Sequence, residues 1–228
     1  MKNPAMSTSD NILFHRIIQP RRKLAGDSLL VPALILLHGR GSNEEDLLGL
    51  APYLDERLLF LSLRAPFDFP YGGYMWYDSS RIGSPEPTQF KKSHDQITSF
   101  IKQLPTAHPV DPKRIFLFGF SMGAIMSFAV GLANPGIVRG IIAHSGYLPE
   151  VQDPPYYWDA QQKTDYFIAH GTHDPIISIS FAHRSKELME RSNALVTYKE
   201  YPIAHHVSEE SLQDLSAWLT ERISLPSS

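Results

Sequence analysis

Gly119-Phe120-Ser121-Met122-Gly123 is a G-x-S-x-G pentapeptide, set between a β-rich apolar run and a helical pattern. A serine hydroxyl is a poor nucleophile until a base takes its proton and a sharp strand-to-helix turn lifts it clear of the backbone. Side chains two positions to either side would clash in such a turn, which explains the glycines. The start of the following helix adds N–H groups and a positive dipole end beside the hydroxyl. The plainer alternative is a serine N-cap; the strand–turn–helix setting argues for the nucleophile.

The base needs an acid to orient it, and in sheet enzymes with this turn the chain order is Ser, then Asp or Glu, then His. Asp174 lies in His170-Gly171-Thr172-His173-Asp174-Pro175, directly after a predicted strand. That places it at the strand's C-terminal end, the edge where open α/β sheets hold their ligands. A turn aspartate before proline is the ordinary alternative. Asp165 precedes the same strand and falls at the wrong end. His205 and His206 follow a strand ending near Tyr201. Consecutive residues on extended chain face opposite sides, so one at most can meet Ser121, and the residues alone leave open which. Ser208 as N-cap, Glu209 and Glu210 in the first turn, and Val207 packing on Leu212 start the helix that follows. Of the other histidines, His38 reads as a structural turn residue, His144 breaks the expected order, and His170 and His173 shape the acid loop. His15, His94, His108 and His183 read as surface or packing residues. No helical His-x-x-x-His or paired ligand spacing points to a metal.

A tetrahedral intermediate needs two N–H donors. One is expected from the residue after the nucleophile, Met122, and the other from a loop after an early strand. His38-Gly39-Arg40-Gly41 is that loop, with the Arg40 main chain as the second donor.

Strand patterns alternate with helical ones, which predicts an α/β fold: a mostly parallel central sheet with helices on both faces. Strands are expected at 12–19 (an edge), 33–37, 58–63, 115–118, 137–143, 166–169 and 195–201. Helices are expected at 44–54, 94–104 (stopping before Pro105), 122–133, 178–191 and 209–223. Arg21-Arg22-Lys23 with Gly26-Asp27 reads as a turn. Between Arg64 and Phe90 runs a long irregular segment with seven aromatics, and long loops of this kind often build sites. We expect it to wall a pocket, with Trp76 contacting substrate. The alternative is a satellite hydrophobic cluster that holds the loop down.

Composition narrows the function classes. The 228 residues are 43% hydrophobic and 20% charged, a globular balance, and the net charge of −3 argues against nucleic acid as partner. No cysteine is present, so disulfides, thiolate metal sites and a cysteine nucleophile are excluded. The uncharged run 115–138 could span a bilayer, but the turn around Ser121 and Asn134-Pro135-Gly136 break it into strand, turn and helix. Residues 1–10 have no apolar core of a secretory signal, so a cytoplasmic location is expected. No internal repeat or linker is visible, and one domain over 1–228 is the expected organisation.

The chain resembles the carboxylesterase/phospholipase and acyl-protein thioesterase group of small α/β-hydrolases. The resemblance covers nearly the whole chain. It rests on Leu36-Leu37-His38-Gly39-Arg40-Gly41 with Glu45-Asp46-Leu47, on Arg64-Ala65-Pro66 followed by Gly73-Tyr74-Met75-Trp76-Tyr77-Asp78, and on the Ser121 pentapeptide. Ser145-Gly146-Tyr147-Leu148-Pro149, the Asp174 loop and Tyr201-Pro202-Ile203-Ala204-His205 complete it. It implies an α/β-hydrolase fold without a helical cap domain, with His205 rather than His206 as the base. Gly146 to Thr164 is too short to be such a cap. Arg40 stands where many of the group carry leucine, which argues against long apolar acyl chains. The expected activity is hydrolysis of short- to medium-acyl carboxylic esters, with no cofactor and no metal. The expected partner is a small-molecule ester, with no stable membrane insertion and the chain a monomer or homodimer. The rival activities are acyl-protein thioesterase or lysophospholipase, and, from another class, a silent hydrolase fold used for binding. A haloalkane dehalogenase would need Asp in place of Ser121, and a thiol-dependent dienelactone hydrolase would need cysteine.

Overall fold

The computed structural model describes residues 13–22 and 30–224; the expected turn through Lys23, Gly26 and Asp27, the start of the edge strand at Ile12 and the segment 1–10 lie outside them. In chain order the strands are β1 (His15–Ile18), β2 (Val31–Leu37), β3 (Leu59–Leu63), β4 (Phe67–Asp68), β5 (Tyr74–Met75), β6 (Ser79–Arg81), β7 (Ser84–Pro85), β8 (Val110–Phe120), β9 (Gly140–His144), β10 (Asp165–Gly171) and β11 (Leu195–Tyr201). The helices are α1 (Pro87–Ala107), α2 (Met122–Ala133), α3 (Ile179–Glu190) and α4 (Glu209–Ser224).

Seven strands form one sheet in the order β1-β3-β2-β8-β9-β10-β11. Only β1 runs antiparallel, against β3; the other neighbours are parallel. The α/β-hydrolase expectation of a mostly parallel sheet is met. Because side chains alternate across a strand, each central strand feeds two cores. Ile35 and Leu37 of β2 and Leu117 of β8 enter the core roofed by α1, α2 and α3; Leu34, Leu36, Phe116 and Phe118 enter the one closed by α4. Full burial on both faces explains why these strands read as continuous apolar runs.

Two helix expectations are corrected. Residues expected as a helix over 44–54 form a 3-10 helix, Asp46–Tyr53, with Pro52 inside it. A proline there removes an N–H and disfavours a regular α-helix. α1 begins at Pro87, seven residues before the expected start, because the Glu86 carboxylate caps it by accepting from the Thr88 and Gln89 N–H groups and Pro87 suits the first turn. It also runs through Pro105, which sits in the last turn and leaves the body of the helix intact. The stretch 146–164 contains one 3-10 helix, Trp158–Lys163, and no cap. Among the described residues no helix is long and apolar enough to cross a membrane.

After β2 the chain moves to one side for β3 and returns to the other side for β8. The crevice beyond the C-terminal ends of β2 and β8 is therefore the switch point of the sheet, the place such folds keep for ligands. Register pairs Leu37 with Gly119, so the His38–Gly41 loop and Ser121 leave the sheet side by side.

Candidate active site

Ser121 links β8 to α2 with φ 54° and ψ −118°. A non-glycine residue in that region costs on the order of 1–3 kcal/mol and persists only when its surroundings hold it. They do: the Ser121 N–H donates to the His144 carbonyl (2.9 Å), and the Ser121 carbonyl accepts from Ala124 and Ile125. The flanking glycines are required as expected. A Cβ on Gly119 would come 2.2 Å from the Gly123 oxygen, and one on Gly123 would come 2.0 Å from the Leu37 oxygen.

Asp174 and His205 arrive on adjacent loops. Beyond the β10–β11 ladder, the Thr172 N–H donates to the Tyr201 carbonyl (2.8 Å) and the His173 N–H to the Ile203 carbonyl (3.0 Å). The Asp174 Oδ1 accepts from the Ile176 and Ile177 amides at 2.8 and 2.9 Å. Its Oδ2 accepts from His205 Nδ1 at 2.6 Å. With that proton on Nδ1, the ring's other nitrogen is an acceptor, and the Ser121 hydroxyl donates to His205 Nε2 at 2.9 Å. Burial pushes the Asp174 carboxyl up, but the His205 bond and the two amides outweigh it and hold it below its ordinary value. His206 is exposed, and among the described residues its ring makes no hydrogen bond to Ser121 or Asp174. Ser208 starts α4 as expected, trading hydrogen bonds with Ser211.

The amides of Gly41 and Ser42 donate to Tyr74 and Gly39, and those of Ala124 and Ile125 to Ser121. Among the described residues the N–H groups of Arg40 and Met122 have no protein acceptor. A Cβ built on Gly39 would touch the Ser121 Cβ at 3.4 Å, so the two segments lie in contact. The loop is braced from below. His38 is fully buried, donates through Nδ1 to the Gly39 carbonyl (2.7 Å) and accepts at Nε2 from Ala65 N–H (3.1 Å). Burial holds its pKa down, so it stays neutral.

Trp76 is a correction. It has no exposed surface; its indole N–H donates to the His38 carbonyl at 2.9 Å and its ring lies 5.5 Å from the imidazole. It supports the loop from inside the core and does not face the cleft. The aromatic segment does wall the cleft, through Tyr77 instead. That cleft is a cavity of about 290 Å³ bounded by Ser121, Met122, Tyr77, Tyr147, Arg40 and Arg81. The sequence alone does not single out Arg81 or Tyr147 as site residues. Tyr147 stands within the Ser145–Pro149 motif, which was the available signal; Arg81 had none beyond its place in the irregular segment. A larger groove, about 840 Å³, lies between Tyr53 and α4, but none of the Ser121, Asp174 or His205 side chains lines it.

His144 is fully buried between the hydroxyls of Ser145 and Ser211, each 3.0 Å away, and desolvation lowers its pKa to about 3. His170 donates through Nε2 to the Ile177 carbonyl (2.8 Å), steadying the turn that carries the Asp174 amide partners. Both support the site without reaching the cleft.

Residues 24–223 match the Phospholipase/Carboxylesterase family. The chain belongs to this family. The phospholipase/carboxylesterase assignment makes it a hydrolase of ester-type bonds. The chain is 35% identical over 153 residues to Acyl-protein thioesterase 1 of Debaryomyces hansenii, a match spanning 63% of this chain and 66% of that protein. It is 25% identical over 218 residues to the probable carboxylesterase SOBER1-like of Arabidopsis thaliana, spanning 89% and 83%. In fold it is similar to the Bacillus cereus carboxylesterase, with a TM-score of 0.80 at 24% identity over 94% of this chain and 96% of that one.

Proposed function

We propose that the chain is a serine carboxylesterase that hydrolyses small, short- to medium-acyl esters through an acyl-enzyme. The observation that carries this reading is the unbroken hydrogen-bond path from Asp174 through His205 to Ser121, at 2.6 and 2.9 Å. His205 Nε2 takes the Ser121 proton as Oγ bonds to the acyl carbon. The carbonyl oxygen becomes an oxyanion held by the Arg40 and Met122 N–H groups. Collapse expels the alkoxide, which takes the proton from His205. Water then attacks the acyl-enzyme, His205 receives its proton, and Ser121 leaves protonated as the acid is released. Asp174 keeps the imidazole in the right tautomer and stabilises it when charged.

A cleft of about 290 Å³ with two arginines on its wall supports small acyl groups over long ones. Thioester hydrolysis is the second reading, favoured by the likeness to a protein named acyl-protein thioesterase. The intact hydrogen-bond path argues against a silent binding protein. The cytoplasm is the compartment we propose.

The test is labelling of Ser121 by a fluorophosphonate probe, beside a panel of p-nitrophenyl esters from acetate to palmitate and an acyl-CoA. Labelling with a peak at short or medium chains is expected. No labelling would remove the hydrolase mechanism; a higher kcat/KM for palmitate than for butyrate would remove the chain-length reading.

A further inference from the structure

The cleft beside Ser121 holds two cationic side chains, Arg40 and Arg81, and no Asp or Glu. Elsewhere the arginines of the chain are commonly matched to carboxylates, as in Arg57–Asp55, Arg64–Glu44, Arg139–Asp165 and Arg184–Glu150. Arg81 differs. Its Nε donates to the Ser84 hydroxyl across the hairpin (3.0 Å), and among the described residues no carboxylate pairs with its terminal nitrogens. Among the described residues the one carboxylate paired with Arg40 is Asp78, at 3.4 Å with both side chains well exposed, and its guanidinium rests 4.9 Å over the Phe69 ring. An ion pair that long and that wet holds little energy, so it yields readily to a better partner.

The hairpin that carries Arg81 is tethered to the cleft. The Gly83 N–H donates to the Tyr147 hydroxyl at 2.8 Å, and Glu86 N–H to the Asp78 carbonyl at 2.8 Å closes the base of the hairpin. Tyr77 and Tyr147 meet through their hydroxyls below, and burial pushes the Tyr77 phenol well above its ordinary range, so neither adds negative charge. Ile82, Ile125, Ile176 and Ile177 add aliphatic surface to the same cleft. Arg40 belongs to the loop that follows β2 and lines the same cleft as Ser121. A long apolar chain entering this space would take water from two guanidinium groups without offering either a hydrogen bond. A carboxylate would gain charge-assisted hydrogen bonds from both.

We propose that the cleft selects small esters that bear their own negative charge, with Arg40 and Arg81 receiving a carboxylate a few atoms from the scissile carbonyl. This rests on the esterase reading above and names the substrate class of the same site.

The experiment compares kcat/KM for three esters: neutral ethyl pentanoate, monoethyl glutarate with the carboxylate on the acyl side, and O-butyrylglycolate with it on the alcohol side. At least one charged ester should exceed ethyl pentanoate by about fivefold or more at low ionic strength, and the advantage should shrink in about 0.5 M salt. Which charged ester wins tells which side of the ester faces the arginines. Arg81→Gln should lower the charged-to-neutral ratio by about fivefold, and Arg81→Lys should restore most of it. Ethyl pentanoate turned over at least as well as both charged esters would overturn the proposal, as would a preference that Arg81→Gln leaves untouched. Loss of all turnover together with absent fluorophosphonate labelling would instead strike the esterase reading itself.

Discussion

The indole N–H of Trp76 donates to the carbonyl oxygen of His38 at 2.9 Å, from a position with no solvent exposure. A residue in the irregular segment thereby fixes the carbonyl two positions before the Arg40 amide. Ser93 closes the arrangement by donating its hydroxyl to the Trp76 carbonyl.

Trp76→Phe keeps an aromatic ring but leaves the His38 carbonyl unpartnered, which costs about 1–3 kcal/mol. The thermal midpoint should fall, and kcat should fall about tenfold with KM changed less, if the Arg40 amide is the oxyanion donor we propose. Calorimetry and steady-state kinetics check this; wild-type kcat in a destabilised variant would separate the brace from the chemistry.

Ser121→Ala should abolish probe labelling and lower kcat by at least about a thousandfold, with the unfolding curve close to wild type. His205→Ala should do the same to kcat, whereas His206→Ala should change it by less than about tenfold, since His206 is exposed. Equal losses from the two histidine variants would break the assignment of the base.

Gly123→Ala should be poorly folded, because its Cβ would sit 2.0 Å from the Leu37 oxygen, a main-chain atom in a central strand. A loss of several kcal/mol is expected at such an overpacked site. Urea unfolding of the soluble fraction is the measurement, and near-native stability would mean that β2 and α2 can separate.

Acid should destabilise the fold beginning near pH 6.5. His144 has a folded pKa of about 3 against an ordinary 6.5, and burial also lowers His38, His94 and His170. Between those values the unfolded chain binds protons that the native state refuses, so stability falls as pH falls. His144 alone is worth several kcal/mol across that window. The depressed Asp174 carboxyl acts in the same direction but at lower pH: its contribution is present above its ordinary value and is lost as pH falls through the folded one. His144→Gln should flatten the slope of urea midpoint against pH between about 4 and 6.5. An unchanged slope would show that the His144 ring is hydrated when charged.

The sequence was most readable where one physical signal dominated. β11 and α2 have the expected boundaries, 195–201 and 122–133. The elbow was readable because two glycines and a serine leave few alternatives at a strand–helix junction. For α1 the sequence pattern predicts too short a helix, because His94–Leu104 carries the clear apolar period while the first turns depend on Glu86 as a carboxylate cap before Pro87. Aromatic density, which points to Trp76, marks a pocket wall without saying which ring faces out. The polar edge of Trp76 decided the matter by finding a buried carbonyl. Arg81 was invisible because its relation to Ser121 arises only when the hairpin folds back onto Tyr147.

The hydrogen bonds from Thr172 to Tyr201 and from His173 to Ile203 mount Asp174 and His205 on one continuation of the sheet. The hairpin 79–85 is held elsewhere, through Tyr147 and the Asp78–Glu86 closure. Asp174 and His205 on the one hand and Arg81 on the other are thus held by different supports, while Arg40 stays with the loop beside Ser121. A graft that exchanges the hairpin for one of different length or charge should retune which esters are accepted while leaving the serine, imidazole and carboxylate in place, so the molecule lends itself to redesign as an esterase with interchangeable specificity.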